Sequence, residues 1–263
     1  MLRSTALAML MAATCLPTAA LARAPRADAP TVVLVHGAFA DASSWDKVIA
    51  RLQSRGVRAI AVDNPLTSLA DDVAATRAAI ARAPGKVVLV GHSWGGTVIT
   101  EAGDDPKVGA LVYVAAFAPD VGQTSAQQGD GFPVAPGLQQ LRERDGFLSL
   151  SPQVVAADFA QDLKPATAQQ LYQRQLPLKA AALSEPVDTA AWRERPSWYV
   201  LSRNDRMLSP QLQVATATRI GAQLRTLGAS HVSPVSAPGE VADAILEAAG
   251  LKPADRLPGF DGG

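Results

Sequence analysis

Residues 87–97 read Val-Val-Leu-Val-Gly-His-Ser-Trp-Gly-Gly-Thr. The apolar run Val87–Val90 predicts a buried strand, and Thr97–Ala102 predicts an apolar helix. Between them Gly91-His92-Ser93-Trp94-Gly95 fits G-x-S-x-G, the pattern of a nucleophile elbow, in the strand–turn–helix context such an elbow requires. The turn is tight. A Cβ two residues before or after the serine would strike neighbouring backbone or force unfavourable dihedrals. The geometry predicts that Ser93 Oγ stands clear of the sheet at a helix N-terminus. Unpaired N–H groups and the helix dipole favour developing negative charge there.

Outward from the elbow, strand-like and helix-like runs alternate. The predicted strands are Thr31–His36, Val57–Val62, Val87–Val90, Ala110–Ala115, Ser197–Leu201 and Gln223–Leu227. They are continuous apolar runs, as expected of strands buried on both faces. Helices are predicted at Trp45–Gln53, Ala70–Arg82, Thr97–Ala102, Pro210–Ile220 and Pro238–Ala249. Ser209-Pro210, and Ser236 with Pro238, supply a capping hydroxyl and a first-turn proline for the last two. Together these predict an α/β fold with a mostly parallel, doubly wound sheet. Its core is residues 31–118 and 191–252. Between Pro119 and Pro196 no strand is evident, and Gln153–Leu163 and Thr167–Leu176 are amphipathic. Residues 119–190 therefore read as a helical lid, inserted where such sheets bind ligands.

Met1-Leu2-Arg3 is a short basic start, Leu7–Leu16 an apolar stretch too short to span a membrane, and Ala20-Leu21-Ala22 a small-x-small cleavage site. Residues 1–22 thus read as a signal peptide, cleaved after Ala22 or alternatively Ala24, which predicts a secreted or periplasmic protein with no stable membrane anchor. Residues 23–30 read as a flexible leader and 253–263 as a frayed tail. The single cysteine, Cys15, falls in the removed segment, so the mature fold must rest on its core without a disulfide. Twenty-four basic and 24 acidic residues balance, so no basic face for nucleic acid is implied. No Cys/His cluster of metal-binding spacing is present, so no metal is expected.

A serine hydroxyl needs a base. The chain has three histidines. His92 adjoins Ser93 on the elbow, so its side chain is directed elsewhere, and His36 ends the first strand. Elimination leaves His231, in a loop after the last predicted strand. The base needs an acid to fix its tautomer. Asp205 follows the strand Ser197–Leu201, at the same sheet edge as Ser93 and His231. Asp63, after the second strand, is its rival, and Asp188 and Asp243 are weaker candidates. The order Ser93, Asp205, His231 suits an elbow of this kind. For the oxyanion, one donor is the Trp94 N–H, and the other comes from His36-Gly37-Ala38-Phe39, with Ala38 N–H the choice. Phe39, Phe117 and Trp94 are the expected pocket walls, while Trp45 and Trp198 read as structural. Large apolar residues are spread thinly in the insertion (Phe132, Leu138, Leu141, Phe147, Leu148, Phe159), which predicts a modest acyl pocket rather than a long-chain groove.

Four stretches carry a family resemblance: Val-Leu-Val-His-Gly-Ala-Phe at 33–39, Gly-His-Ser-Trp-Gly-Gly at 91–96, Asn-Asp-Arg-Met-Leu-Ser-Pro at 204–210 and Ser-His-Val-Ser-Pro-Val-Ser-Ala-Pro at 230–238. From about residue 31 to 250 the chain resembles the α/β-hydrolase superfamily, within it the small esterase and hydroxynitrile-lyase branch with its plant methyl-ester and pyrethroid-type esterases. The resemblance implies a triad of Ser93, Asp205 and His231, oxyanion donors at Ala38 and Trp94, a helical lid and no cofactor. Lyases of that branch carry a lysine directly after the histidine; Val232 stands there, which favours cleavage of a small-molecule ester. Other chemistry at the same triad (C–C or amide hydrolysis, perhydrolysis) and a ligand-binding protein on this scaffold are the competing readings.

Overall fold

The computed structural model describes residues 29–252. The expected signal peptide, the leader up to residue 28 and the tail from 253 lie outside the described residues. The first half of the chain runs β1 (Thr31–Val35), α1 (Asp46–Ser54), β2 (Ala59–Val62), α2 (Leu69–Arg82), β3 (Val87–His92), α3 (Trp94–Ala102) and β4 (Val108–Val114). An excursion follows, with β5 (Arg142–Arg144), β6 (Phe147–Ser149), α4 (Pro152–Val154), α5 (Pro165–Arg174) and β7 (Leu178–Lys179). The chain then returns through β8 (Ser197–Ser202), α6 (Pro210–Arg219), β9 (Gln223–Leu227), α7 (Ser233–Ser236) and α8 (Pro238–Ala248).

Six strands form one parallel sheet in the order β2-β1-β3-β4-β8-β9. Alternate residues serve opposite faces, as the strand period of two requires. Val33, Val35 and Leu89 join a core with Val73 and Ile80 of α2 and Val98 and Ile99 of α3. Val32, Leu34, Val88 and Val90 join the other core, with Val48 and Leu52 of α1 and Val241 and Ile245 of α8. The sheet is thus covered on both sides, which is why its central strands read as unbroken apolar runs. From β1 the chain steps outward to β2, then crosses back to place β3 on the other side of β1. That reversal opens a crevice at the carboxyl ends of β1 and β3, the place where open α/β sheets take ligands. Ser93 and the Gly37-Ala38 loop flank it.

Three expectations need correction. The edge strand β9, Gln-Leu-Arg-Thr-Leu, is largely exposed rather than buried on both faces, because among the described residues nothing pairs with its outer side. The region 119–196 is not wholly helical: β5, β6 and β7 form a small antiparallel sheet. Its strands are two or three residues long, too short to show a period. The legible signal is Asp145-Gly146, whose φ values of 53° and 76° make the tight two-residue hairpin turn between Arg144 and Phe147. Ser236 does not cap α8. It belongs to the turn α7, Ala237 takes the cap position, and the Ser236 hydroxyl has no partner among the described residues. Ser209, by contrast, accepts from Leu212 N–H and caps α6.

Candidate active site

Ser93 occupies a backbone position that serines rarely adopt, φ 53° and ψ −119°. Such a conformation costs on the order of 1–3 kcal/mol and persists only where its surroundings over-determine it. Here Ser93 N–H donates to Val114 O at 3.1 Å, and Ser93 O accepts from Gly96 N–H at 2.9 Å and Phe117 N–H at 3.3 Å. The elbow glycines are there for space. A Cβ on Gly91 would lie 2.4 Å from Gly95 O, and one on Gly95 would lie 2.5 Å from Val35 O. Helix α3 starts at Trp94, three residues earlier than the apolar pattern predicts, directly behind the serine.

At the end of β8, Asp205 Oδ2 lies 2.7 Å from His231 Nδ1, and both side chains are buried. The carboxylate is saturated with donors. Met207 N–H and Leu208 N–H reach Oδ1 at 2.8 Å each, and Gln213 Nε2 reaches Oδ2 at 2.7 Å. Gln213 is fully buried; its oxygen accepts from Ser202 N–H, and its nitrogen also donates to Leu208 O. Sequence reasoning misses Gln213: it sits on α6 among other polar residues, and nothing local marks it. The rival aspartates are elsewhere. Asp63 and Asp188 are exposed, and Asp243 lies within α8. Arg206 pairs with Asp158 at 2.6 Å rather than with Asp205.

The other two histidines brace the loops. His92 is directed away from the cavity side, as expected. Its Nε2 lies 2.9 Å from His231 O, so that nitrogen carries the proton, and its ring packs 4.8 Å from the His231 ring. Burial, with the neighbouring His231, holds its pKa well below the ordinary histidine value, so it stays a neutral donor. His36 accepts from Asn64 N–H at Nε2, which leaves Nδ1–H to donate to Gly37 O at 2.9 Å. Burial lowers its pKa too.

The excursion also reaches the histidine loop. After α4 the helix continues as a π-helical turn, Val155–Phe159, whose Phe159 ring packs 5.6 Å from the His231 ring. Asp162 Oδ2 then accepts from Ser230 N–H at 2.7 Å. Neither contact is foreshadowed in the sequence, because π-turns carry no periodic signature.

Ser93 and His231 line one cavity of about 320 Å³. Ala38, Phe39, Trp94 and Phe117 line it as well. Phe39 N–H is taken by Leu176 O, whereas among the described residues the N–H groups of Ala38 and Trp94 have no partner. The thin scatter of apolar residues in the excursion is misleading. Phe132, Leu138, Leu141 and Leu148 converge on the cavity with Leu178 and Leu183, and Met207, Leu208 and Leu212 complete the wall. Residues far apart in sequence make an apolar chamber that no local window reveals. Phe147 instead lies under the Lys179 ammonium, and Phe159 packs on His231. No cluster suited to a metal ion occurs among the described residues.

Residues 32–244 match the model of the alpha/beta hydrolase family. The chain belongs to that family. Among curated proteins this alpha/beta hydrolase is similar to a probable hydrolase, R7, of a Phoma species, 27% identical over 84% of this chain and 99% of that one. It is also similar to methylesterase 7 of Arabidopsis thaliana, 36% identical over 36% of this chain and 42% of that one. Among solved structures its fold is similar to that of a pyrethroid hydrolase from Sphingobium faniae JZ-2, with a TM-score of 0.73 at 23% identity, covering 84% of this chain and 97% of that one.

Proposed function

We propose that this alpha/beta hydrolase is a serine esterase that cleaves uncharged carboxylic esters of small to medium size through an acyl-enzyme. The observation that carries the reading is the 2.7 Å bond from Asp205 to His231 in the wall of the cavity that Ser93 lines. Asp205, acceptor-only and saturated by four donors, holds His231 with its proton on Nδ1, so Nε2 presents a lone pair. Ser93 Oγ attacks the ester carbonyl carbon while its proton passes to His231 Nε2. The carbonyl oxygen becomes an oxyanion that takes hydrogen bonds from Ala38 N–H and Trp94 N–H. Collapse of the tetrahedral intermediate breaks the C–O bond, and His231 gives its proton to the departing alcohol. Water then attacks the acyl-Ser93, again deprotonated by His231, and releases the acid.

Apolar walls suit hydrocarbon on both sides of the ester. Val232, buried beside the histidine, offers no cation for a cyanide leaving group, which favours hydrolysis over the lyase chemistry of the resembling branch. Residues 119–190 act in this reading as the lid that decides which esters enter. Replacing Ser93 by Ala tests the mechanism: kcat on short p-nitrophenyl esters is expected to fall roughly 10^5–10^6-fold. Labelling of folded wild type by a fluorophosphonate at Ser93 is expected as well. Retained activity in the variant refutes the nucleophile, and failure to label favours a binding protein instead.

A further inference from the structure

Trp94 follows the proposed nucleophile, and its indole is buried. The indole Nε1–H donates to Asp72 Oδ2 at 2.7 Å. Asp72, near the start of α2, is fully buried, and its other oxygen accepts from Leu66 N–H at 2.8 Å. The charged groups that bear on it are Asp71 on its own helix and Glu185 after β7, both of its own sign. Burying a carboxylate without a cation is costly. A neutral asparagine would satisfy one of these donors with its oxygen and oppose the other with its NH2. The ionised carboxylate is acceptor-only and serves both donors at full strength.

Those two bonds join Trp94 of the cavity wall to the loop after β2. Leu66 is held at φ 58°, and its carbonyl accepts from Lys179 N–H at 2.9 Å, next to Leu178 in the chamber wall. Asp72 therefore ties the first turn of α3 to the loop after β2, and through it to β7.

We propose that Asp72 is a positioning residue for ester cleavage: by gripping the Trp94 indole it fixes the first turn of α3, and with it the Trp94 N–H that takes the oxyanion. This inference rests on the reading of Ser93 as nucleophile. Burial pushes the Asp72 carboxyl up to about 6, against the opposing pull of its two hydrogen bonds. Once protonated, one oxygen becomes a hydroxyl, a weaker acceptor that carries a hydrogen of its own, and one of the two ties is weakened. The grip is therefore complete above that range and loosened below it.

The test compares wild type, D72N and W94F by kcat and KM across pH on one p-nitrophenyl ester. D72N is expected to lower kcat about tenfold near pH 8, with KM within about twofold. The wild-type to D72N ratio of kcat is expected to shrink toward unity below about pH 6, because the second acceptor is then weakened in wild type as well. W94F is expected to show the same shrinking ratio, and adding D72N to W94F is expected to change kcat less than about twofold. A wild-type to variant ratio that stays constant with pH, or additive effects, in variants that remain folded across the assayed pH range, overturns the proposal. Should D72N fail to fold, the W94F ratio decides alone. Fluorophosphonate labelling of wild type keeps the two readings apart. An unlabelled Ser93 sinks the nucleophile assignment, whereas a labelled one with a flat ratio sinks only the role of Asp72.

Discussion

Replacing Asp205 by Asn probes the arrangement most directly, because the change is nearly isosteric and its consequences can be followed atom by atom. Both carboxylate oxygens accept two bonds, from Met207 and Leu208 N–H at Oδ1 and from His231 and Gln213 at Oδ2. The amide oxygen can serve only one end. Facing the two backbone donors, it leaves its NH2 against the Gln213 NH2, at a position where 2.7 Å now separates donor from acceptor. Gln213 cannot turn over without losing Ser202 N–H and Leu208 O as partners. The same NH2 also donates to His231 Nδ1, and the imidazole proton moves to Nε2. The histidine then presents a proton to Ser93 rather than a lone pair. That tautomer change is expected to lower kcat by about 10^4, or ~5 kcal/mol of transition-state stabilisation. Losing the charge-assisted bond from Gln213, with two NH2 groups left opposed, and exchanging the one from His231 for a neutral bond is expected to lower stability by about 3 kcal/mol. In a domain of this size that corresponds to roughly 10 °C in Tm. Steady-state hydrolysis of a p-nitrophenyl ester and thermal circular dichroism measure the two effects on one preparation. A folded variant whose kcat stays within about tenfold of wild type refutes the assignment of Asp205 as the orienting acid.

The pH dependence of stability tests the buried charge at Asp72. Its folded-state value of about 6 lies above the ordinary 3.8, so the folded protein holds that proton more tightly, and stability is expected to fall as pH rises from about 4 through about 6. Above that range ionisation weighs against the fold by ~3 kcal/mol. The Tm difference between D72N and wild type should therefore move in the variant's favour between about pH 4 and pH 7 in calorimetry, and a constant difference would contradict the raised value. Gly95→Ala places a Cβ 2.5 Å from the Val35 carbonyl oxygen, against backbone that cannot yield. A loss of about 3 kcal/mol with collapse of activity is expected, and chemical denaturation showing less than ~1 kcal/mol would mean the elbow has room. Asp162→Ala strands the buried Ser230 N–H beside the histidine and is expected to lower both kcat and stability, by about 1–3 kcal/mol for the latter. Asp162→Asn retains an acceptor there and is expected to restore most of both; equal losses in the two variants would assign the effect to charge rather than to the bond.

Elements that depend on short-range rules are legible in the residues themselves. Strands β1, β3 and β4 are buried on both faces and read as apolar runs, whereas β9 misleads because its exposure follows from lying at the sheet's edge, which topology decides. The hairpin of β5 and β6 escapes notice for want of a period, although its Asp145-Gly146 turn stands in the sequence. Cavity residues such as Leu178 and Leu212 escape it because convergence on a common space leaves no trace in a window of neighbours.

By itself the sequence determined the alternation of strands and helices and the elbow that throws Ser93 forward. Each of these is written within a few neighbouring residues, in hydrophobic period or in the room around a glycine. Only the tertiary structure decided which aspartate meets His231, that Gln213 shares its carboxylate, that Asp162 braces the loop and that Asp72 grips Trp94. Those bonds span 26, 8, 68 and 22 residues. A buried carboxylate is selected by the donors that converge on it in space, and no spacing along the chain encodes that convergence.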